Sequence, residues 1–431
     1  MTNRPNWPTR RVKYLATLND EALTEDTEPD YELLYIDIGN VDSLGRVNDI
    51  AHYRFEAAPS RARRLVADGD VIISTVRTYL EAIASITAPP QNLVVSTGFA
   101  VVRPKSDELD PGFCKYALRE RRFMHEVVAR STGISYPAIN ASDLSDIALP
   151  VPPINIQRRI AAFLDVETER IDALVIAKQR LLDLLVEKRR ALITRAVAQG
   201  VPAKAPHRDS DGLQLEQVPA HWSVLPLRRL ITSLEQGWSP VASNSPANAE
   251  EHGVLKLSAI KGGCFIGEEN KALPPDAAIP TELLISKDDV FITRANTPKL
   301  VGDVAVAERD YPNLIFSDLI YRVRADSAKV YPNWLALALR SDIGRNQIEA
   351  EAKGSSATMV KLAQDQVLSL LIPVPTKDEQ LTIAIYVQAE TKKIDDFANA
   401  TERTIALLQE RRSALISAAV TGQLEIKGTF A

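Results

Sequence analysis

The chain says the same thing twice. Pro150-Val151-Pro152 opens a stretch containing Gln157, Ile160, Glu167-Thr168, Ile171-Asp172, Arg180, Leu184-Leu185, Glu187, Arg189 and Ala191-Leu192-Ile193. Pro373-Val374-Pro375 opens another, with Gln380, Ile383, Glu390-Thr391, Ile394-Asp395, Arg403, Leu407-Leu408, Glu410, Arg412 and Ala414-Leu415-Ile416. Of the 48 positions from Pro150 to Val197, 21 are identical to those 223 residues further on, without a gap. Shared helical composition does not keep identities in register over that length. The chain is an internal duplication, and a doubled protein tends to recognise something doubled or to hold two partners in a fixed relation.

Each repeat reads as a short helix followed by a long one. The proline-rich entry is not itself helical, so Gln157 to Leu164 is expected to form about two turns beyond it. From Thr168 the apolar positions Ile171, Leu174, Leu181, Leu185 and Leu192 recur at spacings of three, four or seven, an amphipathic stripe of coiled-coil width. Gly200-Val201-Pro202 stops the helix. The second copy is expected from Thr391 to Val420, with Ile394, Phe397, Ile405, Leu408 and Leu415 as its seam and Gly422 at its end. At 1.5 Å per residue, about 30 residues make a rod of roughly 45 Å. Neither rod buries its stripe alone, so each is expected to pack on the other as an antiparallel pair with pseudo-twofold symmetry.

The blocks outside the rods carry mixed strand and helix signals. Strand-like runs at Leu33–Ile38, Asp70–Ser74 and Asn92–Ser96 have counterparts at Val254–Leu257, Asp289–Thr293 and Asn313–Ser317. Pro111 with Ala117-Leu118-Arg119 aligns with Pro332 and Ala338-Leu339-Arg340, inside helix-like segments. The lobes are therefore duplicated too, more weakly than the rods. Pro202 to Gln217 reads as an exposed linker, and Val218-Pro219-Ala220-His221-Trp222 opens the second lobe, echoing Asn6-Trp7. Trp7 and Trp222 read as packing anchors. The expected fold class is α+β: two similar mixed α/β domains, 1–149 and 205–372, joined through helical segments 150–204 and 373–431 that form a pair of long antiparallel coiled-coil helices.

Composition excludes several classes. A hydrophobic share of 45% and a charged share of 25% match ordinary globular protein, and the chain contains no run of about 18 apolar residues and no apolar signal core behind Met1. No membrane association is expected, and the expected compartment is the cytoplasm. Cys114 and Cys264 stand apart without ligand-spaced neighbours, which indicates neither disulfide nor metal site; both read as buried small residues. Lys plus Arg against Asp plus Glu is 17 to 21 in residues 1–149 and again 17 to 21 in 205–372. With a net charge of -5, any nucleic-acid-facing surface must be a local cluster.

No catalytic engine is present in the sequence. It has no Gly-x-x-x-x-Gly-Lys loop, no Gly-x-Ser-x-Gly elbow and no Asn/Asp-Pro-Pro-aromatic motif, and His125-Glu126 is followed by Ala129 where a zinc helix needs histidine. Candidate functional residues lie instead where strands give way to polar loops: Ser74, Thr75, Arg77 and Tyr79 in the first lobe, and Thr293, Arg294, Asn296 and Lys299 in the second. Arginine clasps guanine O6 and N7 and asparagine pairs with adenine N6 and N7, so Arg77, Arg294 and Asn296 are the leading base-reading candidates. Ser135 with Tyr136, and Ser355 with Ser356 and Thr358, lie in small-residue segments that allow close approach to phosphate or bases. Arg61, Arg63, Arg64, Arg119, Arg121 and Arg122 are further candidates for phosphate contacts.

These residues carry a resemblance. Pro150 to Gly200, Pro373 to Gly422 and the Val218–Trp222 entry together resemble the specificity subunits of type I restriction-modification systems, over essentially the whole chain. The resemblance implies two target recognition domains that each read one half of a split site in double-stranded DNA. It implies paired helices that act as a ruler and dock two modification (methyltransferase) subunits and the restriction (motor-nuclease) subunits. Methylation, at adenine N6, and cleavage would then belong to those partners, with S-adenosylmethionine and ATP/Mg bound there and no cofactor on this chain. A coiled-coil interaction scaffold without DNA binding is the alternative reading.

Overall fold

The computed structural model describes residues 7–133, 136–201, 206–209, 217–356 and 359–426. The chain divides into two compact units, Met1–Arg180 with Thr401–Ala431, and Leu181–Ala400. These units cut across the sequence blocks. Each holds one lobe, the beginning of the long helix that follows that lobe, and the end of the other long helix.

Within the first unit, two four-stranded sheets form the lobe. One runs Ala16–Leu18, Phe99–Pro104, Val71–Ser74, Ile83–Ser85, all antiparallel. The other runs Ala51–Arg54, Glu32–Ile36, Leu93–Ser96, Ala62–Leu65, with its two central strands parallel. Within the second unit the sheets are Ile231–Gln236, Ile320–Ala325, Val290–Thr293, Val304–Val306, and Asn270–Ala272, Gly253–Leu255, Leu314–Phe316, again with a parallel pair. Val71–Ser74 and Val290–Thr293 are buried at every position, which is why both read as short continuous apolar runs rather than alternating ones. The strands expected from sequence fall on these elements, and the expected helices fall on Pro111–Ala117 and Pro332–Arg340.

The expected two-helix reading of each repeat is corrected. Ile154–Gln199 is one continuous helix, and so is Lys377–Val420. Nothing between Leu164 and Thr168 breaks it, since Asp165-Val166-Glu167 contains neither glycine nor proline. The buried stripe also differs from the expected seam. Ile160, Leu164, Thr168, Ile171, Val175 and Leu185 are buried in the first helix, and Ile383, Val387, Thr391, Ile394, Thr401 and Arg412 in the second. Leu174 and Phe397, expected in the seam, are about half exposed (51% and 50%). The stripe runs through polar positions that have partners, so following apolar residues alone drifts off it.

Those polar positions are where lobe and helices grip each other, and each unit makes the same set of contacts. Gln157, 1% exposed, donates through Nε2 to the Glu108 and Pro152 carbonyls and accepts at Oε1 from the Asp110 amide. Gln380, fully buried, does the same with Lys329, Pro375 and Tyr331. Thr168 and Thr391 turn their hydroxyls onto the carbonyls of Leu164 and Val387 one turn back, 2.6 and 2.7 Å away. In the first unit Arg412 Nε donates to Asp172 Oδ1 at 2.9 Å; in the second Arg189 pairs with Asp395. The duplication aligns Asp172 with Asp395 and Arg189 with Arg412, so it is one ion pair made twice with the helices' roles exchanged.

The end of the opposite helix completes each grip. Ser417 Oγ accepts from the Arg121 amide at 3.2 Å, and its equivalent Thr194 Oγ1 accepts from the Asp342 amide at 2.9 Å; each thus meets the first amide of a lobe helix. In the first unit the helices meet at Asp172 with Arg412, and Ile160 and Leu164 share a core with Ile416 and Val420. In the second, Arg189 meets Asp395, and Ile193 and Val197 share a core with Ile383 and Val387. Within each unit the two helix segments therefore run antiparallel, as expected.

One feature of the grip reverses a sequence expectation. Arg119, a candidate phosphate contact, lies under the Leu44–Arg46 turn against Gly45, and its guanidinium donates to the Ile83 carbonyl. Burial, and then the neighbouring Arg412 guanidinium, push its pKa down to about 10. Its counterpart Arg340 lies against Gly263 and donates to the Gly262 carbonyl at 2.7 Å, its pKa likewise lowered by burial and then by Arg189. Gly45 and Gly263 sit at φ of +85° and +87°, and a Cβ at either would overlap the arginine packed on it. These arginines hold a lobe helix to a glycine turn of the same lobe.

Trp222 is 2% exposed and meets Trp334 edge to face at 5.8 Å, while Trp7 packs half-buried on the first lobe's core. Cys114 is buried, but Cys264 is exposed on a two-residue strand of a tight hairpin, against expectation. Most of the Pro202–Gln217 linker lies outside the described residues; within it His207–Asp209 pairs with Gln217–Pro219. Among the described residues no helix is long and apolar enough to cross a membrane.

Candidate nucleic-acid interface

The site grows from the end of one buried strand in each lobe. In the first lobe Val71–Ser74 ends at Ser74, 3% exposed, whose hydroxyl donates to the Val76 carbonyl at 2.6 Å. The chain then emerges: the Thr75 amide donates to Gly98 O at 2.8 Å and the Ile139 amide to Thr75 O at 2.9 Å. Val76 bridges Ala138, the Arg77 amide donates to Pro137 O, and Thr132 bridges Ala138. Thr78 Oγ1 meets Ser131 Oγ at 2.9 Å. The two segments singled out in this lobe, some 60 residues apart in sequence, are thereby stitched into one platform.

The second lobe builds the same platform with the same backbone hydrogen bonds. Thr293 is fully buried, its hydroxyl donating to Leu300 O at 2.9 Å. The Arg294 amide donates to Leu319 O and the Leu362 amide to Arg294 O. Ala295 pairs with Lys361, Asn296 with Val360, and Lys353 with Lys361. Matching bond for bond makes Thr75 the equivalent of Arg294, Arg77 of Asn296, and Tyr136 of Met359. The spacing that aligns Asp70 with Asp289 aligns Arg77 with Asn296 as well, so this equivalence was available in the sequence.

Side chains at these matched positions differ. Arg77 is exposed, with backbone φ of 52°, and its guanidinium lies over the Tyr136 ring at 4.8 Å; Tyr136 is 61% exposed. Tyr79 stands exposed in the short turn that follows. In the second lobe Asn296 is half-buried and extended, its Oδ1 accepting from the Thr297 amide at 2.8 Å. Lys299 is exposed beyond it. Arg294, by contrast, is half-buried and turned onto the lobe: Nε donates to Tyr321 Oη at 3.1 Å and a terminal nitrogen approaches Asp318 O at 3.4 Å.

Of the sequence candidates, Arg77, Tyr79, Tyr136, Asn296 and Lys299 reach the surface of these platforms. Ser74, Thr75 and Thr293 serve the backbone, Thr75 through a 2.9 Å hydroxyl bond to Gly98 O. Ser355 and Ser356 lie in the strand Lys353–Ser356, but their side chains, like Ser135 and Thr358, lie outside the described residues. Arg61 is exposed and shares the platform's edge, since the Thr97 amide donates to its carbonyl; Arg64 reaches Thr97 O, and Arg63 stacks on Phe55 at 4.6 Å. Sequence reasoning missed Met359, 45% exposed, and Trp238, 37% exposed, whose amide donates to Phe316 O beside Asp318. The equivalence of Tyr136 with Met359 was the signal for the first; nothing in the sequence marks the second.

Residues 45–179 match the family model described as the type I restriction modification DNA specificity domain. The chain is 26% identical over 187 residues to the type I restriction enzyme EcoEI specificity subunit of Escherichia coli, a match spanning 43% of this chain and 32% of that one. It is 21% identical over 409 residues to the putative type I restriction enzyme MjaX specificity subunit of Methanocaldococcus jannaschii, covering 93% of this chain and 86% of the relative. In fold it is similar to a chain solved in work on complex assembly and conformational transition of a type I R-M system, with a TM-score of 0.72, 23% identity and coverage of 97% of this chain and 99% of the other.

Proposed function

We infer that this chain, a member of the type I restriction-modification specificity subunits, acts without catalysis of its own as the part that chooses the DNA site. Each lobe reads one half of a bipartite sequence in double-stranded DNA. The observation that carries this reading is the repeated platform: one backbone frame, made twice, bearing different exposed side chains. A frame preserved by hydrogen bonds while its surface varies suits two readings of one kind of target.

Two modification subunits and the restriction subunits are the proposed partners, with S-adenosylmethionine and ATP/Mg held by them and not by this chain. The helices offer them apolar surface. Leu174 and Leu407 in the first unit, and Leu184 and Phe397 in the second, are each at least half exposed, and the duplication makes the two pairs equivalent. Single exposed leucines need no explanation, but the same pair preserved twice fits two copies of one partner.

Mapping methylated adenines with and without this chain, in cells that hold the modification subunit, tests the reading. A two-part motif that disappears with the chain supports it. Unchanged methylation, or a folded assembly that shows no salt-dependent binding to duplex DNA, would leave the interaction scaffold instead. The helices are further proposed to fix the spacer. One heptad added to both, about 10 Å of rise, is expected to lengthen the spacer by roughly three base pairs.

A further inference from the structure

We propose that Arg77 and Asn296 are matched base-reading positions, and that they set guanine in the first lobe's half-site against adenine at the corresponding place in the second. The proposal rests on the DNA-reading function inferred above and deepens it. The two residues follow the same buried strand by the same number of positions, and each is tied by its backbone to the matched residue of the neighbouring segment, Pro137 or Val360. They are the last positions at which the backbone pairing coincides, and the two frames part there: Arg77, in the left-handed region, leads into Thr78–Leu80, while Asn296 is extended at the end of its strand.

Their chemistry suits the role. Among the described residues no ion pair holds Arg77; its guanidinium lies over the Tyr136 ring at 4.8 Å, a cation–π contact that uses none of its N–H donors. A guanidinium held this way matches the paired acceptors O6 and N7 of guanine. Asn296 gives one lone pair of Oδ1 to the Thr297 amide and keeps the other together with Nδ2, the acceptor and donor that adenine N6 and N7 require. Arg294, the second lobe's obvious arginine, is engaged by Tyr321 and Asp318 and occupies the position of Thr75. It belongs to the frame rather than to the reading surface.

The test uses the assembled complex of this chain with its methyltransferase partners, and reads methylated adenines on a randomised duplex library. Arg77→Asn suits its place, because asparagine tolerates the left-handed backbone that Arg77 adopts. It is expected to lower the preference for guanine at one base pair of one half-site by roughly ten- to a hundredfold, leaving the other half-site untouched. Asn296→Arg is expected to do the same to one adenine in the other half-site. Motifs unchanged in both variants overturn the assignment while leaving DNA reading intact. A uniform loss across all sequences, with the salt slope reduced by about one, also overturns it and makes these residues phosphate contacts. If the unsubstituted complex shows no sequence preference at all, the DNA-reading function falls and the assignment with it.

Discussion

The two lobes differ least where they hold the helices and most where they meet solvent at the strand ends. Gln157 and Gln380 make the same three hydrogen bonds, and Asp172 with Arg412 repeats as Asp395 with Arg189. At the platforms, Arg77 lies over Tyr136, whereas the equivalent Asn296 pairs with Val360 and turns its side chain onto the Thr297 amide. A grip built of buried polar groups tolerates little change, because each lost partner strands another in low dielectric. A surface held by backbone bonds leaves its side chains free to diverge. The duplication therefore separates a constant mechanical part from a variable surface, the proposed reader, within each copy.

The comparison is not perfect, and its asymmetry gives the largest expected effect. Arg412 is 9% exposed, so Asp172→Ala leaves a buried charge without its carboxylate and is expected to cost about 3 kcal/mol. The Arg189 side chain is 31% exposed, and Asp395→Ala, which lets water reach it, is expected to cost about 1 kcal/mol. Urea midpoints of the two variants check this. Equal losses would mean that the two pairs share one environment.

Next in size come the glutamines, where symmetry should hold. Gln157→Ala and Gln380→Ala each leave two carbonyls and one amide without a partner, and each is expected to cost about 2 kcal/mol. A difference well above 1 kcal/mol in the same denaturation series would break the equivalence of the grips. Smallest is the effect of the platforms on stability. Tyr136→Ala and Met359→Ala, both at exposed positions, are expected to change stability by less than about 0.5 kcal/mol. A larger loss at either would make that residue part of the fold.

Much of this was legible in the sequence. The duplication, the strands Val71–Ser74 and Val290–Thr293, the helix stop at Gly200 and the anchoring role of Trp222 all follow from residue pattern and punctuation. The failures have a common physical origin. Leu174 and Phe397 looked like seam because apolar residues are the usual signal, whereas the buried stripe passes through Thr168 and Arg412, which carry their own partners. Arg119 looked like a phosphate contact because charge usually means surface, yet a neighbouring glycine turn made room for it inside. Arg294 drew attention as an arginine in a loop, and only the matched hydrogen bonds show it standing where Thr75 stands. Pattern reports burial on average; a buried polar side chain is set by a specific partner that lies far away in sequence.

The most direct measurement is a lobe exchange. A chain carrying residues 9–149 in place of 224–372 has the same grip at both positions and the same proposed reading surface twice. Assembled with the proposed methyltransferase partners and assayed by mapping methylated adenines, it is expected to modify a site whose two halves are the same sequence. An assembled, folded complex that keeps the original unlike halves would contradict the separation of a constant grip from a variable reader.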